Sequence, residues 1–151
     1  LVDRAGKVVL YASIRNEVRT DGIFSRIKRI GKQVFFPRIS GASIEFVAVE
    51  KWSELGPGKW GVPEPRSGVP GALEGVDLVV VPGVAFDERG CRLGFGKGYF
   101  DKALSNYRGI KVGLAYDFQV LRRIPDEEGD LYCDYIFTES RTIPANEPCR
   151  G

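Results

Sequence analysis

The segment DLVVVPG, residues 77–83, is an uninterrupted apolar run, rich in β-branched residues, that stops at Pro82 and Gly83. Consecutive apolar side chains point to opposite faces of a strand, so both faces must be covered, as in the centre of a parallel sheet. Outward from it the same pattern recurs. KVVLYASI, residues 7–14, reads as a second buried strand. Thr20 is placed to cap a helix in which Ile23, Phe24, Ile27 and Ile30 fall at helical spacing before Gly31 stops it. QVFFPRI and SIEFVAVE supply further strands, IKVGLAY another buried one, and YIFT the last short one. After DLVVVPG a loop of about fifteen residues leads into YFDKALSNY, which reads as a helix. Residues 56–75, rich in Gly and Pro (GPGKWGVPEPRSGVPG), predict a long surface excursion. Alternating strands and helices with buried strands give an α/β class, with ligands at the carboxyl ends of the strands. Residues 141–151 read as an irregular tail.

The chain has 151 residues, 43% of them hydrophobic, which suits one domain with a core of its own, spanning 1–151. Lysine and arginine number 22 against 20 acidic residues, so the charge of +2 points to neither a nucleic-acid nor an anionic-membrane partner. RIKRIGK, residues 26–32, is better read as a solvated helix face than as a basic binding patch. No segment approaches the roughly 18 consecutive apolar residues of a membrane span, and the start lacks the order of a secretion signal, so a cytoplasmic address is expected. Cys91, Cys133 and Cys149 are odd in number and share no metal-ligand spacing, which fits reduced thiols. Histidine is absent, which removes histidine acid/base chemistry and the commonest zinc sites. The sequence begins at Leu1 and contains no methionine, as expected of a piece of a longer protein.

RLGFGKGYFD, residues 92–101, carries the chemistry. It lies between a buried strand and a helix, where unpaired amides attract anions. Gly94, Gly96 and Gly98 let the backbone approach a ligand or take positive φ, and successive amides can form a nest around phosphate. Lys97 adds a mobile positive charge and Arg92 a planar fork of donors. Asp101 falls in the first helical turn, where a carboxylate is favoured and can hold Mg²⁺. GFGKG is neither a Walker A loop nor a dinucleotide fingerprint, so a structural turn stands beside phosphate binding as a reading of the spacing alone.

The longer stretch PGVAFDERGCRLGFGKGYFDKAL resembles the signature of the 5-formyltetrahydrofolate cyclo-ligase family, also called methenyltetrahydrofolate synthetases. ASIRNEVRT is similar to that family's substrate segment, GKQVFFPR to its Pro-Arg strand, WGVPEP to its Trp-to-Pro turn and CDYIFTE to its late Asp segment, so the resemblance spans most of residues 7–139. It implies a three-layer sandwich around a mostly parallel sheet, similar to the sugar-phosphate isomerase and coenzyme A transferase type of fold. It also implies a monomer that closes the ring of 5-formyltetrahydrofolate at the expense of ATP, with Mg²⁺. Phosphoryl transfer to the formyl oxygen asks for alignment and charge neutralisation, which amides, a lysine and a metal supply without histidine.

Carried over residue by residue, the resemblance puts Arg92, Leu93, Gly94, Phe95, Gly96, Lys97, Gly98, Tyr99 and Phe100 along ATP, with Lys97 catalytic. Phe95, Gly96, Lys97, Gly98 and Tyr99 also touch the reduced folate, together with Ala12, Glu17 and Trp60. Glu17 would read the pterin edge, since a carboxylate accepts two hydrogen bonds from amino and ring N–H groups. Asp101 and Asp134 match metal ligands. Three features depart from the family's pattern: no basic ATP-clasping helix precedes Lys7, Ile39 stands where some relatives carry an aromatic, and Phe95 where some carry a basic residue. The alternatives are a non-catalytic folate- or nucleotide-binding module and another α/β phosphate-binding enzyme.

Overall fold

A computed structural model describes residues 2–145. The chain divides into two compact units, Leu1–Val79 and Val80–Gly151.

In the first unit, β1 (Lys7–Val9) and α1 (Asp21–Arg29) are followed by β2 (Gln33–Ser40) and β3 (Ser43–Val49). Short strands β4 (Leu55–Gly56), β5 (Glu64–Pro65) and β6 (Pro70–Gly71) punctuate the Gly/Pro-rich excursion, and β7 (Leu78–Val81) leads the chain into the second unit. β1 pairs in parallel with β2 (Val8 opposite Val34) and with β7 (Val9 opposite Val79), and every residue of β7 is buried. The DLVVVPG reading as an inner strand is thus borne out. β2 and β3 form a long antiparallel ribbon, Val34 to Ser40 against Val49 to Ser43. Helix α1 buries Phe24 and Ile27, and Phe24, Phe36 and Trp52 meet with ring centroids 5.6–5.7 Å apart, in tilted and edge-on geometries favoured by the aromatic quadrupole.

Two local expectations for this unit are corrected. β1 is three residues long rather than eight, because the chain beyond Leu10, whose N–H still donates to the Phe35 carbonyl at 3.0 Å, leaves the ladder towards a turn at residues 14–17. Thr20 does occupy the position before α1, but its hydroxyl donates to the Tyr11 carbonyl at 2.6 Å instead of capping the helix. The side chain thereby ties the segment after β1 to the start of the helix.

The second unit contains β8 (Ala85–Asp87), β9 (Arg92–Leu93), α2 (Tyr99–Ala103), β10 (Ile110–Leu114), β11 (Val120–Leu121), β12 (Tyr135–Phe137) and β13 (Thr142–Pro144). β10 and β12 pair in parallel and β12 and β13 antiparallel, while β11, β8 and β9 make a small separate sheet. β13 lies in the segment expected to be irregular. It pairs Ile143 with Ile136, which buries its one apolar side chain. Helix α2 spans five residues rather than the nine of YFDKALSNY, and the loop before it contains the β8–β9 hairpin. Phe86 is fully buried, and a Cβ on Gly113 of β10 would stand 2.5 Å from its ring, so a glycine is needed there for packing. With two α-helices among the described residues and parallel pairing in each unit, the α/β class holds. Cys133 is a buried free thiol whose pKa burial pushes up to about 12, so it is inert at neutral pH. Cys149, counted with the reduced thiols, lies outside the described residues.

Asp87 organises the hairpin. Its side chain is 0% exposed, and its two oxygens accept five hydrogen bonds. Oδ1 takes the N–H groups of Arg89 and Cys91; Oδ2 takes the N–H of Ile124 and two guanidinium N–H groups of Arg89. A buried carboxylate is tolerated only when so satisfied. Asp87→Asn keeps the shape but turns an amide N–H₂ towards donors, and urea unfolding should show a loss of about 3 kcal/mol. A change below the error of the extrapolation would contradict this role.

Candidate active site

The β8–β9 hairpin sets where the glycine loop begins. Ala85 pairs with Leu93 and Phe86 with Arg92, and the Val84 N–H donates to the Leu93 carbonyl at 2.7 Å, so the chain is fixed up to Leu93 and released at Gly94. Gly96 and Gly98 have φ of 91° and 69°. A Cβ at either would meet nothing, so the requirement for glycine is conformational: an L-residue held left-handed costs about 1–2 kcal/mol. Gly98 immediately precedes α2. Lys97 is exposed and Phe95 is 60% exposed, so the loop presents a cation and an aromatic ring to solvent.

Arg92, Leu93, Gly94, Phe95, Gly96, Lys97, Gly98, Tyr99 and Phe100 thus form one continuous strand-loop-helix segment. Their side chains are not all exposed. The Arg92 side chain is only 5% exposed, and its Nη1 donates to the Pro82 carbonyl at 2.7 Å. Asp101 Oδ1 accepts the Leu131 N–H at 2.9 Å and lies 3.4 Å from Arg92 Nη2. Asp134 Oδ2 accepts the Lys111 N–H at 2.8 Å and stands 3.7 Å from Lys111 Nζ. Each carboxylate therefore anchors backbone through one of its oxygens. No group of three or more acidic, cysteine or histidine side chains gathers among the described residues. Nucleotide-bound Mg²⁺ usually takes only one or two protein carboxylates, with phosphate and water filling the remaining positions.

In the first unit, Glu17 closes a turn on itself. Its Oε1 accepts the Ile14 N–H at 2.9 Å while its own N–H donates to the Ile14 carbonyl, and Arg15 inside the turn is held at φ 51°. Glu17 lines an open cleft of about 240 Å³ with Ser13, Arg15, Arg19, Asp21 and Trp52. Arg19 is committed to Asp21 through two hydrogen bonds. Burial raises the Glu17 pKa above the ordinary 4.5, opposed by the Ile14 N–H. Ala12 is buried just upstream of the cleft's Ser13. Trp60 is 56% exposed and held at φ 56°, in the Gly/Pro-rich excursion, and does not line this cleft. Of the other residues lining the cleft, Ser13 and Arg15 fall inside ASIRNEVRT but are not singled out by the sequence, and Trp52 carries no signal there. The left-handed turn that brings Arg15 to the cleft has no glycine or asparagine at that position to mark it.

With this geometry in view, the comparisons decide the family. The sequence matches the 5-formyltetrahydrofolate cyclo-ligase family over residues 1–139. The chain belongs to this family. It is 33% identical to the probable 5-formyltetrahydrofolate cyclo-ligase of Schizosaccharomyces pombe, over 93% of this chain and 78% of that protein. To the Escherichia coli K12 5-formyltetrahydrofolate cyclo-ligase it is 32% identical, over 91% of this chain and 80% of the relative. The solution structure of Aquifex aeolicus 5,10-methenyltetrahydrofolate synthetase superposes with a TM-score of 0.82 at 38% identity, covering 97% of this chain and 75% of that one. The resemblance read from RLGFGKGYFD and its flanks is borne out, and this cyclo-ligase family member is a ligase.

The raised Glu17 pKa gives a signed prediction. Folding favours the protonated carboxyl, so its contribution is fully present below about 4.5 and is lost as pH rises through the folded-state pKa. Melting temperatures followed from pH 4 to pH 8 should therefore show Glu17→Gln gaining on the parent as pH rises above 4.5. A difference that stays flat across that range would contradict the desolvated carboxyl.

Proposed function

We propose that this cyclo-ligase converts 5-formyltetrahydrofolate and ATP to 5,10-methenyltetrahydrofolate, ADP and phosphate, with Mg²⁺, acting as a cytoplasmic monomer on small molecules alone. The observation that carries the reading is the glycine loop: left-handed Gly96 and Gly98 flank an exposed Lys97, inside the stretch matched to the family. Among the described residues no helix is long and apolar enough to cross a membrane.

In this account the formyl oxygen attacks the γ-phosphorus, the bond to the β-phosphate oxygen breaks, and ADP leaves. N10 of the folate then adds to the activated formyl carbon, loses its proton, and the carbon–oxygen bond breaks to release phosphate. The amides of residues 94–98 and the Lys97 ammonium offset charge on the transferring phosphoryl group. Asp101 and Asp134 would hold Mg²⁺, which when bound would supply further charge neutralisation at the phosphates. Glu17 accepts the pterin amino and ring N–H, a role that needs the ionised carboxylate. Trp60 and Ala12 contribute packing to the folate, and Phe95 and Tyr99 flank the point where the two substrates meet.

The near-ultraviolet absorbance of the methenyl product provides the assay. Lys97→Ala is expected to lower kcat by roughly 10²–10³ with the melting temperature unchanged. Undiminished turnover would remove Lys97 from the chemistry, and binding of both substrates without any turnover by the parent protein would favour a non-catalytic module.

A further inference from the structure

Arg92 belongs to the glycine-loop signature, yet its environment is that of an interior residue. The side chain is 5% exposed, and the guanidinium touches three separate pieces of chain. Nη1 donates to the carbonyl of Pro82, just past β7. Nη2 faces Asp101 in α2 at 3.4 Å, and the guanidinium carbon lies 6.0 Å from the centroid of the Phe100 ring. On the loop side, a Cβ added to Gly94 would come within 3.0 Å of Nη1 and 3.3 Å of the guanidinium carbon, so the Gly94 backbone rests directly against the planar group.

We infer that Arg92 is a positioning residue: it braces the glycine loop and Asp101 from the protein side, and leaves phosphate contact to the loop amides and Lys97. The inference rests on the proposed function for the ligand it names, a nucleoside triphosphate with its metal. A guanidinium can hold three fixed points at once because its donors lie in one rigid plane; an ammonium on a flexible stem cannot. A ligand-binding arginine must also be reached, and a 5% exposed one presents almost no surface to a triphosphate. One further feature fits placement rather than stability. Among the described residues Nε is buried without a hydrogen-bond partner, a cost of the kind found where a side chain is kept for where it puts its neighbours. The alternation of Gly94 with Gly96 and Gly98 then has two causes: the first glycine clears the arginine, and the other two supply left-handed backbone.

The test compares Arg92→Lys and Gly94→Ala, singly and together, by amide hydrogen exchange across residues 94–101 in the ligand-free protein and by calorimetric binding of MgATP. Gly94→Ala displaces the guanidinium while leaving it in the sequence, which guards against a poorly folded lysine variant. Either single change is expected to speed exchange in that segment and to weaken MgATP binding about tenfold, and the double variant to lose little more than either alone. Weakened binding with exchange unchanged would make Arg92 a direct phosphate ligand and overturn the inference. Faster exchange with unchanged binding would reduce it to a structural residue, and additive losses would separate it from the loop. A parent protein that does not bind MgATP would defeat the ligase reading, while unchanged exchange in both variants would defeat the brace on its own.

Discussion

The second unit depends on a carboxylate that has no access to water. Asp87 gathers the amides of Arg89, Cys91 and Ile124 and the guanidinium of Arg89 around two oxygens. Arg89 in turn donates to the Ile124 carbonyl and pairs with Asp126 at 3.5 Å, so one buried ion pair joins the β8–β9 turn to the chain near residue 124. Because β9 has no register except the one this turn imposes, the position at which the backbone escapes into the glycine loop is set from below. The segment FDERG therefore owes its place in the signature to geometry, and GFGKG owes its place to what that geometry presents.

From that constraint the rest of the loop follows in order. The hairpin delivers Arg92 inward, Arg92 meets Pro82, Asp101 and Phe100, and the left-handed glycines turn the chain so that Lys97 reaches solvent. In the proposed reaction such a site would work by positioning and charge, for which the absence of histidine is no obstacle. In the other unit, Glu17 is set by an equally local device, a turn closed by its own side chain, and burial there raises the cost of its charge. A ligand that donates two hydrogen bonds to the carboxylate would offset that cost on binding, so desolvation at Glu17 favours a donor-rich edge over water.

Much of this was legible in the residues. The inner strand at 78–81, the long β2–β3 ribbon and α1 with Phe24 and Ile27 inside all follow from apolar runs and helical spacing, and the match of RLGFGKGYFD in its context identified the family. What escaped was non-local. Nothing in KVVLYASI says that pairing ends at Val9, because the remaining apolar residues, Leu10, Tyr11 and Ala12, are buried outside the ladder. The two-residue β9 is too short for a periodicity, and β13 forms because β12 offers it an edge. Arg92 reads as a phosphate ligand by type and position, and nothing in the spacing signals that its side chain is 5% exposed with Nη1 on the Pro82 carbonyl.

The central claim is that the formyl oxygen becomes phosphorylated in this protein's active site before the ring closes. Substrate carrying ¹⁸O in the formyl group, turned over with unlabelled MgATP, tests it directly by mass analysis of the inorganic phosphate released. The account predicts one ¹⁸O atom in each phosphate, since the formyl oxygen departs on phosphorus. Methenyl product accompanied by unlabelled phosphate, with the ¹⁸O recovered in water, would contradict it.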